Sequence, residues 1–319
     1  MTNTLADKLL ESNLITEKER ENMGDTEPLS VHWDLRSILY LGVLLVTTSL
    51  GILIYKNIDS IGHDVLLIII SVLMVACFAW CFKNATGFRS SKINNTSIWS
   101  DYILLVGCLL LLTLVAYLQF QYQLFGNRWG LALFIPMILL FIAAYYFDHI
   151  GVLSLAITNL GAWAGIAITP TKLLQNNDFS QEKVMFTGIV LGIFLIAMAI
   201  ISESRKIKAH FSFTYKNFGI NLFFISILSM LFYYENLYLL IFLIFCISVW
   251  FIYKICIKSS TYLLVMTVLY SYIGLSYVII RNLLFDSMSN IYITVLYFIL
   301  SGIGLIAVFK NLQKKIRIQ

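Results

Sequence analysis

The chain has 319 residues, of which 60% are hydrophobic and 12% are charged. Soluble proteins average about 45–50% apolar and about 25% charged residues, so this composition excludes a soluble enzyme, a disordered chain and a nucleic-acid-binding domain. The net charge of +5 does not imply a nucleic-acid partner, because the cytoplasmic loops of membrane proteins carry an excess of Lys and Arg. The composition indicates an integral membrane protein with many spans, for which the lipid bilayer is the surrounding medium.

The first 36 residues differ from the rest, because they hold eight Asp and Glu residues against four Lys and Arg residues. Leucines recur there at helical spacing, and Asn13 suits the left-handed position that ends a helix. Thr16 and Glu19 have the spacing of a capping box, which predicts the start of a second short helix. We expect residues 1–36 to form an acidic cytoplasmic helical hairpin and linker. So short a hairpin buries little surface, and residues 1–30 are therefore expected to pack against a protein partner or against the membrane face.

Ten apolar runs approach or reach the roughly 20 residues that a helix needs to cross a hydrocarbon core about 30 Å thick. The runs lack the alternation of a barrel strand, so we expect helices. The predicted spans are Ser37–Tyr55, Val65–Phe82, Tyr102–Phe120, Gly130–Phe147, Gly151–Thr169, Val184–Ile201, Asn217–Tyr233, Leu237–Tyr253, Thr261–Ile280 and Ile291–Phe309. The prediction is an all-α, polytopic membrane protein with a ten-helix transmembrane domain over residues 37–309 and a basic cytoplasmic tail over residues 310–319.

The distribution of basic residues between loops predicts the orientation of the spans. With the N-terminus in the cytoplasm, the cytoplasmic segments hold 17 Lys and Arg residues and the opposite side holds 5. Because cytoplasmic loops are enriched in these residues, the split favours ten spans with both termini in the cytoplasm. A missed helix would reverse the side of every later loop and remove this agreement.

The sequence carries no motif of a catalytic or cofactor-binding site. It has neither a phosphate-binding glycine-rich loop nor a dinucleotide-binding glycine pattern, and no two histidines have zinc-protease spacing. All five cysteines lie in or beside apolar runs, where they are expected to act as small hydrophobic residues. We therefore predict no catalytic residue, no metal site and no cofactor.

Two polar residues stand together in the short turn between spans four and five. Asp148 can hold a proton or a cation at the cytoplasmic mouth of a pathway, and His149 can titrate near neutral pH. The simpler interpretation, which we favour, is that a tight turn between helices needs polar residues at the lipid headgroups. Asp148 and His149 are thus a candidate polar pair at the cytoplasmic mouth.

Span five is the least lipid-like of the ten. Asn159 lies near its middle, where an amide needs a hydrogen-bonding partner because lipid offers none. Gly161 and Gly165 form a GxxxG motif, which allows another helix to approach closely, and Thr158 and Trp163 belong to the same segment. These five residues either line a substrate pathway or pack a central helix, and we favour packing.

Other features bear on transport. The nine acidic residues beyond the N-terminal segment all fall at or near loops, whereas ion-coupled transporters usually carry ionisable residues at membrane depth. Only Pro136 among the three prolines lies within a span, although transporters favour helices broken near the midplane. Gly188 and Gly192 repeat the GxxxG spacing in span six, which predicts a contact between spans five and six. Transport of a neutral or amphiphilic molecule stays open, because it needs no buried charge.

The N-terminal pattern resembles that of a bacterial family. The run LLESNLIT at Leu9–Thr16, then acidic residues, a break and a multi-span region starting near Arg36, is similar to the predicted membrane proteins grouped as domain of unknown function 2157. Members often have Gly where this chain has Asn13, a change that the end of a helix tolerates. The resemblance implies a bacterial cytoplasmic (inner) membrane location and carries over no catalytic residue.

Three functions remain open from the sequence. We favour a non-enzymatic scaffold or accessory subunit that docks a partner through its hairpin, because a catalytic set is missing. The second is a transporter or flippase with a five-plus-five arrangement, in which an odd number of spans per half inverts the second half. The third is a membrane enzyme acting on lipid-linked substrates, which requires polar groups that converge at one membrane face, for example Asp148 and His149 meeting Arg205 or Lys206.

Overall fold

The computed structural model describes residues 32–85, 87–91, 98–168, 182–234, 236–256, 260–283 and 290–317. Throughout these ranges the regular structure is helical, and no strand is present in them. The predicted N-terminal hairpin falls almost entirely on residues 1–31, which lie outside the described residues. The hairpin therefore stays a prediction.

Each of the ten predicted apolar runs corresponds to an α-helix within the described ranges. The helices are α1 (His32–Ile61), α2 (His63–Lys83), α3 (Ile98–Tyr122), α4 (Trp129–Phe147), α5 (Ile150–Ile168), α6 (Glu182–Arg205), α7 (Ser212–Tyr233), α8 (Tyr238–Cys256), α9 (Thr261–Leu283) and α10 (Asn290–Arg317). A one-turn 3-10 helix, Ala209–Phe211, precedes α7. Long apolar runs form helices because a helix satisfies its backbone hydrogen-bonding groups within the segment.

Seven of these helices, α2 to α7 and α9, are long and apolar enough to cross a membrane by length and composition. The other three contain shorter apolar stretches among the described residues, at Ser37–Ser49, Tyr238–Lys254 and Ile293–Ile306. The predicted all-helical membrane character is therefore confirmed. The count of ten spans goes beyond the seven helices that meet both criteria.

The chain divides into two compact units at Gly62, between α1 and α2. Within the first unit, α1 exposes apolar side chains such as Ile38, Leu44 and Ile52, as a helix that is hydrophobic all round does when it faces lipid. Within the second unit, neighbouring helices pack in pairs, most closely α6 with α7, then α4 with α5 and α2 with α3. The residues discussed below all belong to the second unit.

The most enclosed of the seven candidate spans is α7, preceded by its 3-10 turn. Of its most apolar 18-residue stretch, 56% is buried inside the protein. The same share is 28% for α5, the helix that the sequence suggests as the packed central one. Tyr215 of α7 joins a core formed with α2 to α6, and Phe224 joins a second core with α8 and α9. Because protein covers both sides of α7, its sequence can be the least hydropathic of the seven.

The backbones of α6 and α7 meet at Gly192 and Gly219. A Cβ atom added at Gly192 would lie 2.9 Å from the Gly219 carbonyl oxygen and 2.8 Å from the Cβ of Phe223. Gly188, one turn earlier, faces Ser226 of α7 in the same way. The predicted contact between spans five and six is present, but Gly188 and Gly192 face α7, where Gly219 lets the two backbones approach.

Several helices extend beyond their predicted bounds, and two of these extensions have a clear physical reason. α7 begins at Ser212, five residues before the predicted start, because the polar groups of its first turn find partners on α6. α10 continues to Arg317 and so includes most of the segment predicted as a basic tail. Lys and Arg side chains are stabilised near the C-terminus of a helix by the helix dipole, which favours this extension.

Consecutive turns of the second unit lie at alternate ends of the helices. At one end, the Tyr122 hydroxyl donates a hydrogen bond to Asp64 Oδ1 at 2.5 Å, and a ring nitrogen of His63 hydrogen-bonds with the Tyr117 hydroxyl. These contacts join the start of α2 to the end of α3. At the other end, the segment after α2, the α4–α5 turn and the α6–α7 connection meet, as expected for successive helices that run in opposite directions.

Candidate functional site

Asp148 ends α4 in the left-handed region, with φ 59° and ψ 42°. Asp and Asn adopt this conformation more readily than other non-glycine residues, and the Asp148 N–H donates to the Ala144 carbonyl. Helix α5 begins two residues later, at Ile150, so the turn is short, as the sequence predicts. The turn directs the carboxylate into the protein, where the side chain is 1% exposed.

Two basic side chains from the α6–α7 connection reach this carboxylate. The Nζ of Lys208 lies 2.9 Å from Asp148 Oδ1, and the Nε2 of His210 lies 2.7 Å from the same oxygen. The Lys208 side chain is 0% exposed and the His210 side chain 20%. A charge is costly to remove from water unless it is paired, so Asp148 and Lys208 each make the burial of the other tolerable. We call Asp148, Lys208 and His210 the charge cluster.

The backbone around Lys208 is held by two other parts of the chain. Lys208 is in the left-handed region, with φ 49° and ψ 47°, and its N–H donates to the Ser90 carbonyl at 2.8 Å. The Ser202 hydroxyl donates to the carbonyls of Ile207, at 2.7 Å, and Lys208, at 3.1 Å. The Lys208 ammonium also lies 5.6 Å from the centre of the Phe88 ring. The charge cluster therefore joins the segment after α2, the α4–α5 turn and the end of α6.

A second ion pair closes the α6–α7 connection on itself. Glu203 Oε1 accepts hydrogen bonds from Lys216 Nζ at 2.6 Å and from Ser212 Oγ at 2.7 Å. Lys216 is buried, whereas Glu203 is exposed. This pair fixes the start of α7 against the end of α6, and hence the direction in which Lys208 enters the protein.

His149 has a different role from its neighbour Asp148. Its Nδ1 accepts a hydrogen bond from the Val152 backbone N–H at 3.0 Å, which is the contact that an N-cap residue makes with the first turn of a helix. The buried ring packs over Gly151, where an added Cβ would lie 2.8 Å from His149 Cε1. Of the candidate polar pair, Asp148 therefore belongs to the charge cluster and His149 caps the start of α5.

The charge cluster can hold chain segments together, but it offers little accessible chemistry. Only His210 among its side chains has substantial exposure. The example geometry considered from the sequence is not formed in the described part of the chain, because Arg205 and Lys206 are exposed and the basic side chains at Asp148 are those of Lys208 and His210. Within the same part, no group of three or more His, Cys, Asp and Glu residues is arranged to hold a metal ion.

The candidate residues of span five do not converge on one point. Asn159 Nδ2 donates to the Leu133 carbonyl of α4 at 2.9 Å, and the Trp163 ring packs against that of Phe134, with 5.3 Å between ring centres. Thr158 Oγ1 donates within its own helix. Asn159 and Trp163 thus join α5 to α4, while Gly161 and Gly165 face elsewhere.

Gly161 and Gly165 line a cavity of about 380 Å³ between α5, α6 and α7. An added Cβ at Gly161 would have no atom within 4 Å, so this glycine borders open space. Charged residues are missing from the cavity wall as the structure describes it. The remaining lining residues are Ala164, Val184, Met185, Thr187, Gly188, Leu191, Leu222, Ile225, Ser226 and Ser229.

The sequence analysis does not identify Lys208 and His210 as partners of Asp148. In the sequence they are only two of several basic residues in the same loop. The distribution of Lys and Arg carries a usable signal, since it assigns the α4–α5 turn and the α6–α7 connection to the same side of the membrane. An acidic residue and several basic residues at one surface predict an ion pair, although spacing alone does not select Lys208 over Arg205 or Lys206.

Comparison with known proteins identifies a family over the N-terminal part of the chain. Residues 7–153 match the model of the family described as predicted membrane protein (DUF2157). No curated protein and no solved structure matches the chain. The matched region includes Asp148, whereas Lys208 and His210 lie beyond it. Residues 7–153 are thus similar to the DUF2157 family of predicted membrane proteins, in agreement with the resemblance that the N-terminal sequence carries.

Proposed function

We propose that this protein is a non-enzymatic scaffold or accessory subunit of a bacterial cytoplasmic membrane, which docks a protein partner through residues 1–30. The observation that carries the proposal is that the two charged side chains of the charge cluster pair with each other inside the protein. Asp148 and Lys208 are buried against each other, so these charges serve to hold helix ends together and are not presented to a substrate. A membrane part whose helix ends are joined by a buried ion pair, with a small acidic cytoplasmic segment, is the arrangement expected of a docking subunit.

The same cluster supports a topology of ten spans with both termini in the cytoplasm. The segment after α2, the α4–α5 turn and the α6–α7 connection meet at one end of the helices. All three belong to the side that the distribution of Lys and Arg assigns to the cytoplasm. In this topology α1, α8 and α10 cross the membrane together with the seven longer apolar helices.

Removal of residues 1–30 is expected to abolish co-purification of the partner while leaving the membrane part intact. The full-length chain and the truncated chain are purified from membranes under the same conditions, and the proteins retained by each are compared by mass spectrometry. A control variant that replaces only the exposed Lys254 with Gln should retain the full set. Identical sets from the full-length and truncated chains would contradict docking through this segment.

A transporter or flippase for a neutral or amphiphilic small molecule is the second candidate, favoured by the cavity beside Gly161 and Gly165. If the cavity is part of a pathway, Gly161→Phe should block the passage of a fluorescent lipid analogue across reconstituted vesicles. Gly302→Phe is the matched control, because a Cβ at that glycine also meets nothing within 4 Å. Equal rates for the two variants and the unmodified protein would remove this candidate.

A further inference from the structure

We propose that the cavity between α5, α6 and α7 binds one hydrocarbon chain of an anionic phospholipid, whose phosphate pairs with Lys183. The inference rests on the membrane character of the helices, and it requires neither transport nor partner docking. It concerns bound lipid as a component of the folded protein.

The size and lining of the cavity suit a hydrocarbon chain. A cavity of about 150 Å³ lined by apolar side chains holds one benzene ring, so the space here accommodates on the order of a dozen chain carbons. The hydroxyls of Thr187 and Ser229 donate to carbonyls of their own helices, which leaves these donors satisfied without a polar ligand. A cavity of this kind within a bilayer is filled by hydrocarbon, since no water is present there to fill it.

The cavity is open towards the surface that lipid covers. Ile225 lines it and is nevertheless 54% exposed, so its wall continues into the lateral face of α7. A chain from the surrounding bilayer can therefore enter sideways between α5 and α7, without passing through the protein.

Lys183 supplies the charge that selects the headgroup. It is exposed at the first turn of α6, and Thr187 of the cavity wall follows four residues later on the same helix face. The Thr187 hydroxyl donates to the Lys183 carbonyl at 2.6 Å, which places the two residues at adjacent levels of α6. A Lys side chain at a helix end reaches towards the headgroup region, where it can pair with a lipid phosphate while the chain lies in the cavity below.

The proposal is tested by photo-crosslinking in vesicles that contain the full-length protein. The probe is phosphatidylglycerol with a photoreactive group in one acyl chain, and phosphatidylcholine with the same chain is the neutral comparison. We expect phosphatidylglycerol to label peptides of α5, α6 and α7 above the general labelling of lipid-facing residues such as Leu296. Gly161→Phe, which fills the cavity, should reduce that labelling by at least about tenfold, whereas Gly302→Phe should not.

Lys183→Gln tests the headgroup separately from the chain. It should lower labelling by phosphatidylglycerol to the level of phosphatidylcholine, and Lys254→Gln should leave the difference between the lipids unchanged. Gly161→Leu serves as a smaller filling variant if Gly161→Phe lowers the amount of folded protein. Equal labelling of the Gly161 and Gly302 variants, or no preference for the anionic lipid in the unmodified protein, would overturn the proposal. Because binding is measured directly, these results do not depend on whether the protein docks a partner.

Discussion

Replacing Asp148 with Asn is expected to destabilise the protein by about 3–5 kcal/mol, because the substitution leaves the buried Lys208 ammonium without its counter-charge. Asn occupies the left-handed region as readily as Asp, so the α4–α5 turn itself is preserved and the loss reports the charge. His210 loses the carboxylate as well, but its partial exposure lets water replace part of that contact. Thermal unfolding of the purified protein in detergent, followed by the loss of folded protein with temperature, measures the effect.

Lys206 provides a matched control for Lys208. Both residues have left-handed backbones, but Lys206 is exposed and Lys208 is buried. Lys206→Met should therefore change stability by less than about 0.5 kcal/mol, whereas Lys208→Met should cost several times more. The double variant of Asp148→Asn and Lys208→Met should lose less than the two single losses together, with a coupling of about 1–3 kcal/mol. Strict additivity would show that the two side chains do not act as an ion pair.

Gly192→Ala is the second substitution from which we expect a large effect, a loss of about 2–3 kcal/mol. The new methyl group would meet the Gly219 carbonyl oxygen and the Phe223 nitrogen at 2.9 Å. Both are backbone atoms of α7, so the clash cannot be relieved by a side-chain rotation and the two helices must separate. The loss exceeds the roughly 1 kcal/mol by which Ala is favoured over Gly within a helix.

Gly161→Ala is the control for this substitution. Its Cβ would meet no atom within 4 Å, so the new methyl group causes no clash and the higher helix propensity of Ala decides the outcome. The variant should be as stable as the unmodified protein or more so. The same unfolding experiment in detergent compares the two variants. If Gly192→Ala is tolerated as well as Gly161→Ala, α6 and α7 do not cross at the distance described.

The helices were predictable because a membrane helix is recognised by its length and apolar continuity, properties that each segment carries alone. Which helices pack against each other was harder to predict. Gly188 and Gly192 were recognised as a packing face, but the matching Gly219 stands in no motif, so nothing in the sequence indicated that the partner was α7. The bounds of α7 were missed for a related reason, since its polar first turn is stabilised by Glu203, a residue of another helix.

The candidate site shows the same division between local and long-range information. The short turn at Asp148 follows from its neighbours in sequence, whereas the cap role of His149 was not predicted. Which basic residues meet Asp148 depends on how the α6–α7 connection folds, and in particular on the left-handed backbone of Lys208. This conformation has no sequence signature, because Lys rarely adopts it. Asn159 was expected to find a hydrogen-bonding partner on another helix, and it donates to a backbone carbonyl of α4. Since every residue has a backbone carbonyl, the sequence does not indicate which one accepts this bond.

The long separation between the members of the charge cluster has a consequence for biosynthesis. His210 follows Asp148 by 62 residues, so a ribosome that adds about 5–20 residues per second needs roughly 3–12 s to supply the partners after Asp148 has emerged. During that interval the carboxylate has to stay hydrated at the membrane surface, since its counter-charge does not yet exist. Helices α2 to α5 are therefore made before they can reach their final packing, and the arrival of α6 and α7 completes the assembly.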